Sequence, residues 1–160
     1  MKFLIIIPTH NEEENILFCL KSLENQTFQD FECVIVNDGS TDKTKQVIAS
    51  FQGKFKFPIV HVWQEDNGFQ KCKILNKAIL KTNSDYLLFT DGDCIPRKDF
   101  VAQHLKYKEK GYFLSGGYFK LPMETSNKIS LEDIQNQNCF TISWLIKNGV
   151  KKSFKLSKLT

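Results

Sequence analysis

The sequence predicts an α/β fold, a mostly parallel sheet covered by helices on both sides. Two observations predict it. Four short apolar runs show no polar alternation, as strands buried on both faces do. Each run ends in a small, polar or acidic turn, and apolar residues at helical spacing follow. Such alternation is the signature of parallel strands joined by helical crossovers. At 160 residues the chain is one domain's worth, long enough for a substantial core. Its 41% hydrophobic and 25% charged content is that of an ordinary globular protein, and a net charge of +4 is too modest to indicate nucleic acid as a partner.

The first strand is expected over Phe3 to Pro8, β-branched and ended by the proline. Thr9 or Asn11 can then cap a helix whose first turn is Glu12-Glu13-Glu14, where the helix dipole favours carboxylates. Ile16, Leu17, Leu20 and Leu23 give that helix its apolar face, and Gln26-Thr27-Phe28 closes the unit. A second strand, Glu32 to Asn37, runs into Asp38-Gly39-Ser40-Thr41-Asp42, with Ser40 or Thr41 as the expected cap and Val47, Ile48 and Phe51 facing inward. A third, Pro58 to Trp63, leads through Asp66-Asn67-Gly68 to a helix over Phe69 to Lys81, with Cys72, Leu75, Ala78 and Ile79 facing in. The fourth, Tyr86 to Phe89, is followed by Asp91-Gly92-Asp93 and a helix from Pro96 through Tyr107 that Gly111 ends. Tyr112 to Leu121 reads as one more strand, interrupted by Gly116-Gly117. Residues Asn127 to Gly149 read as helical, and a lysine-rich end follows.

In a parallel sheet the carboxyl ends of the strands line one edge, where open α/β folds bind ligands. Here that edge carries Thr9-His10-Asn11, Asn37-Asp38-Gly39, Asp66-Asn67-Gly68 and Asp91-Gly92-Asp93. Two carboxylates one residue apart, as in Asp91 and Asp93, can converge on a hard divalent cation such as Mg²⁺ or Mn²⁺ shared with substrate phosphates. The same triplet can equally make an Asx turn and cap the next helix. No glycine-rich phosphate loop is present, so phosphates would be held in another way. Five scattered cysteines (Cys19, Cys33, Cys72, Cys94, Cys139) with no Cys-x-x-Cys spacing argue against a disulfide framework or a zinc site. With an apolar start too short for a signal core, they predict a cytoplasmic protein.

The ordered segments IIIPTHNEEENI, QTFQDFECVIVNDGSTD, NGF with its downstream Asn-Lys-Ala, and LLFTDGD resemble the N-terminal half of family 2 glycosyltransferases, over about the first 120 residues. The resemblance implies the GT-A fold, Rossmann-like and here C-terminally short, with a nucleotide-sugar-binding core over residues 1–125 and a helical extension over residues 126–160. It implies a nucleoside-diphosphate sugar as donor, a UDP-sugar by default, with Mn²⁺ or Mg²⁺ as cofactor. It also implies transfer with inversion to a glycan or lipid-linked acceptor in surface polysaccharide synthesis. By position, Thr9, His10, Asn11 and Glu12 border the nucleobase pocket, with the His10 ring where an aromatic ring packs on the base. Asp38, beside Gly39, matches the Asp that hydrogen-bonds the base. Asp66, Gly68 and Lys73 lie in the segment that meets ribose and diphosphate. Asp91, Gly92 and Asp93 match the Asp-x-Asp motif, with Asp93 the expected metal ligand and Asp91 beside it. Read from the residues alone, His10 is equally a turn histidine, Asp66 a helix cap and Lys73 an exposed helix lysine.

Three departures stand out. Asn37 replaces the usual Asp before Asp38, Gln70 stands where related sequences often carry Arg, and the chain stops early. An inverting enzyme needs a base to deprotonate the acceptor hydroxyl. The downstream carboxylates are Glu109, Glu124, Glu132 and Asp133; Glu132 and Asp133 are weak candidates, because Ser130 to Asp133 also reads as a capped first helical turn. The acceptor region is therefore expected to be truncated. A donor-binding domain without turnover is the first rival reading, and a nucleotidyltransferase the second. Lys147, Lys151, Lys152, Lys155 and Lys158 form a basic tail that reads first as a solvated, disordered end and otherwise as one able to touch anionic lipid at the inner face of a membrane. The apolar cluster of Phe140, Ile142, Trp144, Leu145 and Ile146 is a candidate surface for a homodimer.

Overall fold

The computed structural model describes residues 2–151. Four strands, β1 (Phe3–Thr9), β2 (Phe31–Asp38), β3 (Ile59–Gln64) and β4 (Tyr86–Phe89), form one all-parallel sheet in the order β3-β2-β1-β4. Helices α1 (Ile16–Glu24), α2 (Thr44–Ser50) and α3 (Lys71–Leu80) make the crossovers, and α4 (Phe100–Tyr107) follows β4. Every residue of β1 is buried, which is why its sequence shows no alternation. Phe3, Ile5 and Ile7 join Cys33 and Ile35 of β2 on the face covered by Leu20 of α1, Ile48 of α2 and Val101 of α4. Leu4, Ile6, Val34 and Val36 project to the other face, where Ile74 and Ala78 of α3 cover them. Burying each such aliphatic side chain contributes about 1.5–3 kcal/mol.

Gln26 is the polar link of the α1 face. Its Nε2 donates to the carbonyls of Ser22 (3.2 Å) and Arg97 (2.7 Å), and its Oε1 accepts from Val101 N at 3.0 Å. The side chain is only 4% exposed, so these bonds meet all its buried capacity but one lone pair.

The starts of α1 and α2 depart from expectation for one reason. Helix α1 begins at Ile16 with Asn15 at its N-cap, and neither Thr9 nor Asn11 caps it; Glu13 to Asn15 precede it as a turn. Residues 11–13 instead interlock with the loop after β2. Asn11, at a left-handed φ of 53°, accepts from Thr41 N (2.9 Å), and its own N–H donates to Ser40 Oγ (3.0 Å). Glu12 N donates to Thr44 Oγ1 and Glu13 Oε2 accepts from Lys43 N. Ser40 and Thr41 are thus spent on this junction rather than capping α2, and Asp42 Oδ1 takes the Thr44 N–H. Helix α3 starts at Lys71, not Phe69; it buries Ile74 and Ala78, while Cys72 is exposed. Helix α4 starts at Phe100 rather than Pro96 and ends at Tyr107, before Gly111.

The strand expected over Tyr112 to Leu121 is not formed. Tyr112, Phe113 and Tyr118 are 74%, 88% and 86% exposed, and Gly116-Gly117 weakens any extended pairing there. From Met123 the described chain forms short helical pieces: α5 (Met123–Ser126), α6 (Leu131–Gln135), a 3₁₀ turn at Asn138–Phe140 and α7 (Ile142–Lys147). Leu145 is not left bare, but packs with Val150, Phe119, Leu121 and Trp144. Ile134 of α6 is buried, and its carbonyl accepts from Asn25 Nδ2 at the end of α1 (3.2 Å). Of the basic tail, Lys152, Lys155 and Lys158 lie outside the described residues. Among the described residues no helix is long and apolar enough to cross a membrane.

Candidate functional site

Strand order changes direction at β1: β2 and β3 build out on one side, β4 on the other. Ligands of open α/β sheets bind at such a switch, beyond the carboxyl ends of the strands. A cleft of about 240 Å³ opens there. Pro8, Thr9, His10 and Glu12 after β1, Asp38 of β2, Phe69, Lys71 and Ile74 at the start of α3, and Asp91, Gly92 and Asp93 after β4 line it. Three of the four predicted turns thus reach one cavity through named side chains, and the fourth turn reaches it through the chain that follows.

His10 is exposed at the cleft, and its ring is oriented from both ends. Nδ1 lies 2.7 Å from the Asp38 carbonyl oxygen and donates to it, and Nε2 faces Asn11 Nδ2 at 3.2 Å as acceptor. The Asp38 side chain is 7% exposed; Oδ1 accepts from Gln64 Nε2, and Oδ2 accepts from Gln70 N at 2.9 Å. Gln64 Oε1 in turn accepts from Lys77 Nζ at 3.0 Å, so β2, β3 and α3 are tied together under the cleft. Each Asp38 oxygen retains a lone pair, so the carboxylate can still accept from a ligand.

Gly39 and Gly92 are where the backbones come closest. A Cβ on Gly92 would stand 3.1 Å from Thr9 Oγ1 and 3.5 Å from Ile16 Cδ1, so the Asp91–Asp93 turn lies flat on the end of β1. Thr9 Oγ1 and Asn37 Nδ2, neighbours in the β1–β2 register, are buried without a hydrogen-bond partner. Such orphaned groups beside a cleft mark positions a ligand or ordered water can satisfy. Asp66 Oδ1 accepts from Gly68 N (3.0 Å), which makes this segment an Asx turn; Asp66 and Gly68 do not line the cleft.

Asp91 and Asp93 are exposed, and their carboxylates lie with Cys94 Sγ inside one group whose ligand atoms are all within 4.8 Å of one another. Burial, and after it the charges of Asp93 and Asp91, push the Cys94 thiol up to about 11, so it is protonated at neutral pH. The Glu12 carboxyl is also raised: burial is the main cause, the Asn15 Nδ2 bond opposes it, and Asp93, Asp42 and Asp91 add to it. Two exposed carboxylate oxygens on one tight turn, with a third carboxylate nearby, are hard donors that fit Mg²⁺ or Mn²⁺. The side chain of Lys71 shows what that charge attracts: its Nζ sits 2.7 Å from Asp91 Oδ1.

Lys71, Phe69 and Cys94 are additions to the site residues expected from sequence. Lys73 is exposed and does not line the cleft. The helix phase explains the difference. Ile74 and Ala78 fix the inward face of α3, and Lys71 lies one turn before Ile74 on it, whereas residues two apart do not share a face. Glu132 and Asp133 do not reach the cleft. Helix α1 starts beside Gly92, whereas α6 is held at its opposite end through Asn25. Asp133 closes a capping box: its Oδ2 accepts from Ser130 N (3.0 Å) and Oγ (2.7 Å), and Ser130 Oγ accepts from Asp133 N (3.1 Å).

The profile of glycosyl transferase family 2 matches residues 4–155. The poly(ribitol-phosphate) β-N-acetylglucosaminyltransferase TarS of Staphylococcus aureus is 30% identical over 156 residues, a match that covers 89% of this chain and 26% of TarS. The crystal structure of S. aureus TarS 1–349 in complex with UDP-GlcNAc superposes with a TM-score of 0.55 at 31% identity, over 66% of this chain and 30% of that one. The mannosyltransferase PcManGT of Pyrobaculum calidifontis, in complex with GDP-Man and Mn²⁺, gives a TM-score of 0.59 at 25% identity, over 66% and 31% of the two chains. The chain spans about a quarter of the length of TarS.

Proposed function

This chain belongs to glycosyl transferase family 2, and from that premise we propose that its cleft binds a nucleoside-diphosphate sugar, a UDP-sugar, for transfer of the sugar to a glycan or lipid-linked acceptor. The observation that carries the reading is the convergence of His10, Asp38 and the Asp91–Asp93 turn on one cleft at the sheet's switch point. The oriented His10 ring offers a face for the base, and the free lone pairs of Asp38 accept its N–H. The Thr9 hydroxyl, buried and unpaired, is available to the same ligand. Asp91 and Asp93 would hold a divalent cation, which when bound supplies positive charge where the departing diphosphate becomes negative. Complexes of UDP-GlcNAc with TarS, and of GDP-Man and Mn²⁺ with PcManGT, support a nucleotide-sugar and metal reading of this cleft.

Transfer with inversion, in surface polysaccharide synthesis, is the full form of the proposal. It needs a base for the acceptor hydroxyl, and none of Glu109, Glu124, Glu132 and Asp133 lines the cleft. That observation favours a second reading, in which these residues form a donor-binding unit without turnover of its own.

Calorimetric titration of UDP, with and without Mn²⁺, tests the donor site. Binding that requires both Mn²⁺ and Asp93, and is lost in Asp93→Ala, is the expected result. Absence of binding by UDP, GDP and dTDP under all conditions would overturn it. Release of UDP from UDP-sugar in the presence of a glycan acceptor separates the transferase from the donor-binding unit.

A further inference from the structure

Among the described residues that line the cleft, Lys71 is the only lysine or arginine, and it pairs with Asp91 in a lining that also holds Asp93 and Glu12. Its ammonium is 2.7 Å from Asp91 Oδ1, with side-chain exposures of 38% and 54% for the two partners. An ion pair this open is weak and separates easily. Lys71 is also the first residue of the ten-residue helix α3, where the helix dipole disfavours a cation. Asp91 is the partner that holds it there. The ammonium and a divalent ion therefore compete for the same carboxylate.

We propose that Lys71 and a divalent cation are alternative partners of Asp91: Lys71 neutralises Asp91 until metal and diphosphate arrive, then exchanges the carboxylate for a diphosphate oxygen. The four-carbon stem of lysine allows that movement without a change in the backbone. Two consequences follow from the exchange. Metal alone binds weakly, because it must displace Lys71. Metal and nucleotide bind with positive coupling, because each provides what the other's binding releases: metal frees the ammonium, and diphosphate receives it. The proposal rests on the donor-site reading, and it extends that reading to a residue that the resemblance to known glycosyltransferases did not point to.

The test compares wild type with Lys71→Gln and Lys71→Arg in two titrations. The first follows free Mn²⁺ by electron paramagnetic resonance without nucleotide. The second measures UDP affinity by calorimetry at saturating Mn²⁺. In Lys71→Gln, Mn²⁺ alone is expected to bind about five-fold more tightly, the factor for no longer having to break an exposed ion pair with Asp91. UDP is expected to bind about ten-fold more weakly, through loss of a charged hydrogen bond. Lys71→Arg keeps both values near wild type. A residue with a merely structural role would shift both affinities in the same direction or neither. Mn²⁺ affinity in Lys71→Gln that is unchanged or lower overturns the proposal, as does unchanged UDP affinity. If wild type binds no nucleotide diphosphate under any condition, the donor-site reading fails instead. Thermal unfolding of each variant, expected at the wild-type temperature for so exposed a side chain, shows that the fold is intact.

Discussion

Gly39 and Asp66 meet backbone to backbone: a Cβ on Gly39 would stand 2.6 Å from the Asp66 amide nitrogen, and Gly39 has a φ of +67°. No side chain fits at that distance, and the left-handed conformation itself costs a residue with a Cβ about 1–2 kcal/mol. The contact brings the loop after β3 against the loop after β2, next to the Asp38 carboxylate. Gly39→Ala is therefore expected to lower unfolding free energy by about 2 kcal/mol or more. It should also weaken UDP binding, because the loop carrying Asp66 must move. Urea denaturation and calorimetry on the same variant measure the two effects.

Asp38→Asn tests a different part of the same corner. Both Asp38 oxygens accept hydrogen bonds, from Gln64 Nε2 and Gln70 N, so an amide nitrogen in either position faces a donor. Gln64 cannot turn over to help without surrendering the Lys77 ammonium from its Oε1. The buried mismatch should cost about 1–3 kcal/mol. Nucleotide affinity should fall with it, while Asp93→Ala, on an exposed turn, should lose affinity with little change in stability.

The difference between these aspartates bears on what the sequence could disclose. Four buried strands were legible because a strand covered on both faces has no polar alternation to confuse with a helix; β1 is the clearest example. The cleft was legible as polar turns on one edge, of which three line it and Asp66-Asn67-Gly68 does not. The helix caps were not, because Asn11, Ser40 and Thr41 bond to one another across about 30 positions, and no local pattern shows that. Nor was Lys71 legible over Lys73, since that choice depends on the phase of α3, and the inner face includes Ile74 rather than Cys72. The segment at Tyr112–Leu121 has the composition of a strand, but a strand also needs a partner edge, which is a property of the tertiary structure.

Glu12 gives a pH-dependent prediction. Its carboxyl is raised above its ordinary value of 4.5, chiefly by burial, so the folded protein holds the proton more tightly than the unfolded chain. Stability from this group is present below that value and lost as pH rises through the shifted value. Glu12→Gln removes the loss. The variant should match wild type in acid and exceed it at neutral pH, by about 0.5 kcal/mol or less after solvent screening of a half-exposed group. Urea midpoints measured across that pH range show whether the difference grows in this direction; a difference that shrinks with pH would contradict it.

Ser130→Ala separates the C-terminal helices from the cleft. The Ser130–Asp133 capping box satisfies the first turn of α6, and α6 rests on the end of α1 far from Gly92. Losing the cap should cost about 1 kcal/mol. The Asp133 carboxyl opposes this loss only while it stays ionised. Burial raises it, but the side-chain and backbone hydrogen bonds from Ser130 outweigh that and hold it below its ordinary value of 3.8. Its contribution in wild type is therefore present above that value and lost as pH falls through the lowered one. Nucleotide affinity of Ser130→Ala should equal that of wild type, because no residue of α6 lines the cleft. Calorimetry with UDP and Mn²⁺ checks this, and a fall in affinity beyond the loss of folded protein would mean that α6 and the cleft are coupled through α1.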